Sequence, residues 1–206
     1  MDPVAKPPKG TLATSVGRGI VVILAFILTW QTISSCAVFP PGERGFLYMI
    51  WGAGVILPLH EGGHFISSPF GYVLTIFGGS FWQVGFPVLL VIVALRQGSF
   101  WWTVYLTLTG VHMIDLTPYI FDAPFRSLPL ITRNKHTHDW GNLLNHFQAQ
   151  HHAETLADLA FYVGSILAIS GTILSVILII NDLRPDLLPG KSARSLKRRP
   201  RMRARP

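Results

Sequence analysis

His60, Glu61, Gly62, Gly63 and His64 form an HExxH sequence inside a stretch that is otherwise strongly apolar. On a helix, two histidines four residues apart share one face and can hold a single zinc ion, while the glutamate beside the first can act as general base on a water at the metal. The chemistry open to these residue types is hydrolysis at membrane depth. A metal site that served only the fold would not need a carboxylate next to its first ligand, so Glu61 is the residue that points to catalysis.

The elements that must position this motif are read from composition. Half of the 206 residues are hydrophobic, 13% are charged and the mean hydropathy is +0.42, whereas a soluble domain carries roughly 25% charged residues. Apolar runs at about 18–39, 46–67, 72–95, 99–121 and 155–181 each approach or exceed the ~20 residues that cross a hydrocarbon core. The expected fold is an all-α polytopic membrane protein with about five transmembrane helices. Residues 1–17 form an N-terminal tail, 18–183 a single transmembrane domain and 184–206 a basic tail. Segment 70–80, FGYVLTIFGGS, is rich in glycine, aromatic and β-branched residues and is expected to be a re-entrant or strand-like piece. Lys6, Lys9 and Arg18 precede the first run as in a signal peptide, and Ile33, Ser34, Ser35 and Cys36 loosely resemble a lipoprotein cleavage site. The length of the run favours an uncleaved helix. Cys36 is the single cysteine, so an internal disulfide is excluded and stability must come from helix packing and metal.

One span separates the second from the fourth, so these two run in the same direction and their C-terminal ends emerge on one side. His60 and His64 can thereby meet Asp115 and Asp122. His112, Asp115, Tyr119 and Asp122 follow a 3, 4, 3 spacing, which aligns them along one stripe if Pro118 merely kinks the helix. Ionisable groups inside a span are costly and turn toward a partner, a cavity or a metal. Gln83 lies just inside the start of the third span. Trp82, Trp101, Trp102 and Trp140 suit an interfacial aromatic belt.

At this point the chain resembles the site-2 proteases, which are intramembrane zinc metalloproteases. The resemblance covers about residues 46–123. His60, Glu61 and His64 match the family's first motif, while Asp115, Pro118 and Asp122 resemble its second. Three departures stand in that second motif: an aspartate at 115 for asparagine, Ala123 for glycine, and an interval from Pro118 to Asp122 one residue short. The resemblance implies that His60, His64 and Asp122 bind Zn²⁺ and that Glu61 takes a proton from the attacking water. It also implies a membrane protein or peptide as substrate and an edge strand or re-entrant loop near 70–80. Asp115 would orient a ligand or touch the substrate backbone, and His112 is expected to be a hydrogen-bonded interhelical residue.

Other readings compete. The polar loop 123–154 holds five of the eight histidines, His136, His138, His146, His151 and His152, and with His60 and His64 these vaguely resemble the histidine boxes of membrane di-iron oxygenases or desaturases. The spacing from His146 to His151 fits such a box poorly. His138 and Asp139 lie on the side of the zinc site, as local loop residues or as an extra ligand or lid contact. A noncatalytic subunit could also use the same fold to pack in a larger membrane complex. Residues 184–206 carry nine of the seventeen Lys and Arg against one acid, Asp186. This tail is expected to be disordered and to meet anionic lipid headgroups rather than nucleic acid. The expected location is a bacterial inner membrane. Five spans put the termini on opposite sides, yet basic residues at both ends favour the cytoplasm, so the sequence leaves the orientation open.

Overall fold

The structure, a computed structural model, describes residues 12–183. The basic tail at 184–206 and the first part of the N-terminal tail lie outside the described residues. Every regular element among the described residues is helical: α1 Leu12–Cys36, α2 Phe46–Trp51, α3 Leu57–Ser67, α4 Tyr72–Arg96, α5 Trp101–Asp115, α6 Thr117–Phe121, α7 Asp139–His146 and α8 Ala153–Leu183. Three helical stretches, α1, α4 and Gln150–Leu183, are long and apolar enough to cross a membrane. Their outward faces are apolar, as at Phe26, Trp30, Leu89 and Ile166, which suits a lipid rather than an aqueous surroundings.

The other two apolar runs are helical in shorter pieces, and proline accounts for both interruptions. Residues 46–67 form one rod in which a π-helical turn, Gly52–Ile56, joins α2 to α3. Pro58 cannot donate to the carbonyl four residues back, and the widened turn falls where that bond is missing. In the run 101–121, α5 stops at Asp115 and α6 restarts at Thr117 with Pro118 in its first turn. Pro118 therefore breaks the hydrogen-bond ladder without taking the chain out of helical geometry: Leu116 keeps a right-handed helical backbone and its carbonyl accepts from the Ile120 N–H at 2.9 Å.

Segment 70–80 is not a re-entrant or strand-like piece. A 3₁₀ turn, Ser68–Phe70, leads to Gly71, whose φ of 96° is open to glycine and strained for other residues, and α4 then runs unbroken from Tyr72. The β-branched and aromatic residues stay helical because backbone groups in an apolar phase must be paired within the segment. The glycines in this stretch permit a close helix crossing instead. Gly63 on α3 faces Gly78 on α4, where a Cβ on Gly78 would stand 2.7 Å from the Gly63 carbonyl, so the HExxH helix lies backbone to backbone against α4.

The rest of the bundle is built on α8. Its buried residues Ala153, Ala157, Ala160, Gly164, Ala168, Gly171 and Ser175 repeat at three- and four-residue spacing and form a small-residue face along the whole helix. α5 packs most extensively on this face, and α1 and α6 pack beside it. Val111, Ile114, Tyr48, Ile56 and Leu28 fill the centre. α7 closes one end of the bundle by docking on α4, where the Trp140 indole Nε1 donates to Ser80 Oγ at 3.0 Å. Trp140 is thus a docking residue, beyond the belt role its type suggests.

Candidate metal centre

His60 and His64 lie one turn apart on α3, with ring centroids 4.8 Å apart. Each ring is fixed through Nδ1. His60 Nδ1 faces the Gln83 side-chain oxygen at 2.9 Å, and His64 Nδ1 faces the Thr75 carbonyl at 2.8 Å. Both partners are acceptors, so the proton of each neutral ring must be on Nδ1, and each Nε2 presents a lone pair. Those two nitrogens converge on one oxygen, Asp139 Oδ2, at 3.2 Å each. One atom from each of the three residues lies within 4.8 Å of the others.

Three lone pairs aimed at one point repel unless a cation sits among them. Two protons or one metal ion would satisfy the arrangement. In a tetrahedral zinc site with arms of about 2.0–2.2 Å, neighbouring ligand atoms are about 3.3–3.6 Å apart, close to the two separations seen here. Two imidazoles, each held by an acceptor on its far nitrogen, with one carboxylate, form a donor set that fits zinc in a site with an open fourth position. α4 makes room for them at Gly79, where a Cβ would come within 2.7 Å of His60 Nε2. Any larger residue at 79 would occupy the space into which the two histidines point.

Asp139 is delivered by the polar loop. It is the first residue of α7, and Tyr119 secures it in two ways: the phenol donates to Asp139 Oδ2 at 3.0 Å and accepts from the Asp139 backbone N–H at 2.9 Å. Burial alone would push its carboxyl upward, but with protons rather than a metal ion on Nε2 the two rings donate to Oδ2, which more than offsets burial and holds the carboxyl well below the usual carboxylate range. It is therefore ionised at neutral pH, as a metal ligand must be.

Asp122, expected as the third ligand, is elsewhere. It is fully buried, and its carboxylate accepts from the Ser127 N–H at 2.9 Å, the Ser127 hydroxyl and the Leu128 N–H at 2.8 Å. The cause is local. α6 ends at Phe121, and the chain turns back so that free backbone donors at 127 and 128 meet the carboxylate. His138, also fully buried, faces the other side of Asp122, with Nε2 3.3 Å from Oδ2. That contact is too poorly aligned to be a hydrogen bond and leaves His138 Nε2 without a partner. The other ring nitrogen of His138, Nδ1, accepts from the Gly141 N–H at 3.0 Å and caps the start of α7. Burial lowers the pKa of His138, against the pull of Asp122, so its ring is neutral and free to accept at that cap. Asp122 and His138 thus shape the loop that presents Asp139.

Glu61 is exposed and lines, with His60, His64, Asp139 and Asp115, a cavity of about 860 Å³. Its lining also includes residues 128–132 of the loop, largely apolar. Asp115 and His112 do not reach the histidine pair directly. Asp115 accepts from the Tyr48 hydroxyl and from Gln83 Nε2, and His112 bridges the Gln83 carbonyl and the Trp51 indole. Among the described residues, His136, His146, His151 and His152 join no group of three ligands. Gln83 and Thr75 contact the histidine pair without belonging to any sequence motif, and for Gln83 the available signal is an amide inside an apolar span; Tyr119 is marked by its place in the polar stripe.

No protein-family model matches this chain, and no curated protein and no solved structure matches it.

Proposed function

We propose that this chain is a zinc metalloendopeptidase of the site-2 protease type that hydrolyses a peptide bond in or beside a membrane segment, with its five helical runs crossing the bilayer. The observation that carries this reading is the convergence of His60 Nε2, His64 Nε2 and Asp139 Oδ2 in one cavity with Glu61. Asp139 takes the ligand role that the family resemblance would give to Asp122.

Zinc held by these three residues would supply Lewis acidity, lowering the pKa of a water toward ~7 and polarising a carbonyl. Glu61 accepts the proton as the water oxygen bonds to the peptide carbon, and delivers it to the amide nitrogen as the carbon–nitrogen bond breaks. Thr75 and Gln83 hold the two rings so that Nε2 stays available. Tyr119 holds the Asp139 carboxylate in register with them. The apolar wall at 128–131 and at Ile56 and Leu57 provides a surface for a hydrophobic chain segment and limits bulk water around the reacting bond.

The test is metal analysis of the purified protein beside a His64→Ala variant. About one zinc per chain, lost in the variant, is the expected result. Two irons per chain would favour a di-iron oxygenase, and no metal would favour a noncatalytic subunit of a membrane complex.

A further inference from the structure

The two histidines are held in different ways, and the difference has a consequence for the metal. His64 leans on the backbone carbonyl of Thr75, which no side-chain change removes. His60 leans on a side chain, Gln83, which is 1% exposed in the interior of the bundle. We propose that Gln83 and Asp115 are positioning residues that set the proton position of His60 and, through it, the affinity of the site for zinc; this rests on the metal reading above.

The orientation of the Gln83 amide follows from its neighbours. Its nitrogen is 3.1 Å from the His112 carbonyl and 3.1 Å from Asp115 Oδ2, and both of these can only accept. The amide nitrogen must face them, so the amide oxygen must face His60. That oxygen accepts the Nδ1 proton and leaves the Nε2 lone pair toward the metal position. With the amide reversed, its N–H would donate to Nδ1, the ring proton would move to Nε2, and the ligand atom would be blocked.

Asp115 enforces the choice. Its other oxygen accepts from the hydroxyl of Tyr48, a fully buried residue, so the carboxylate is held from α2 while it fixes Gln83 on α4. His112 adds a second clamp: its Nδ1 donates to the Gln83 backbone carbonyl at 2.8 Å, and its Nε2 accepts from Trp51 at 3.0 Å. Both nitrogens of His112 are committed, so it serves the network and is not itself a metal ligand. The aspartate at 115, where the site-2 proteases carry asparagine, has a reason in this chain: a carboxylate cannot donate, so it admits only one orientation of Gln83.

The experiment measures zinc affinity by competition with a chromophoric chelator, using full-length protein in detergent, with Co²⁺ absorption as a second readout of ligand geometry. Gln83→Leu is expected to weaken zinc binding by about 10- to 100-fold, the usual cost of losing an outer partner of a ligand. Gln83→Glu alone sets two carboxylates against each other and is expected to weaken binding as well. Combining Gln83→Glu with Asp115→Asn removes the repulsion at residue 115, since the new carboxylate accepts from both His60 and the asparagine amide, while the His112 carbonyl still faces a carboxylate oxygen; affinity and the Co²⁺ spectrum are expected to recover in part, above Gln83→Glu and below wild type. Wild-type affinity in Gln83→Leu, or a double variant no tighter than Gln83→Glu, would overturn the proposal while leaving the metal site standing. A wild type that binds no zinc would overturn both.

Discussion

Glu61→Gln is expected to keep about one zinc per chain and to lower peptide hydrolysis by about 10²- to 10⁴-fold, the range supplied by a positioned general base. The two readouts separate because Glu61 is outside the ligand group His60, His64 and Asp139 yet shares their cavity. Glutamine has nearly the same size and no basic oxygen, so binding of a substrate segment should persist. The check is zinc content together with cleavage of a reporter peptide carrying an apolar segment, followed by mass spectrometry. Hydrolysis that survives the change would remove Glu61 from the mechanism.

Asp139→Ala and Asp122→Asn have opposite consequences. Loss of Asp139 removes the only carboxylate in the ligand group, and zinc affinity is expected to fall by more than the about 10- to 100-fold that an outer partner costs. Asp122→Asn should keep zinc. It replaces an oxygen that accepts from buried backbone donors at 127 and 128 with an amide that cannot accept at both places, at a cost of about 1–3 kcal/mol in stability. Chelator competition and thermal unfolding in detergent, run on both variants, distinguish a ligand from a loop anchor. Zinc lost in Asp122→Asn and retained in Asp139→Ala would restore the arrangement that the sequence motif implies.

The contrast between these two aspartates shows what the sequence could reveal. The HExxH pair is local, since a four-residue spacing on a helix fixes the relation of His60 to His64, and α3 is helical as expected. The third ligand depends on chain geometry that no local rule supplies. Helical spacing carried through Pro118 selects Asp122, but α6 ends at Phe121 and the chain turns back, so that Asp122 accepts from donors at 127 and 128. Asp139 is 75 residues beyond His64, and its place depends on the whole loop folding back with His138 as the cap of α7. The sequence reading sets it on the same side as the HExxH motif and gives no reason to prefer it.

A similar limit applies to the fold. Apolar length reveals the helical runs because lipid demands paired backbone groups, and it also overrides the β-propensity that makes 70–80 look strand-like. The glycines there have a packing purpose, at Gly78 against α3 and at Gly79 against the two histidines, and such contacts are visible only once α3 and α4 are placed together. The small-residue face of α8 is periodic and could be read from the sequence, although its partner α5 could not.

In the proposed site one zinc is held by His60, His64 and Asp139. An anomalous difference map recorded at the zinc edge from crystals of the zinc-loaded protein tests it most directly. The expected result is a single peak about 2.0–2.2 Å from His60 Nε2, His64 Nε2 and an Asp139 oxygen. A peak beside Asp122, or none near the two histidines, would contradict it.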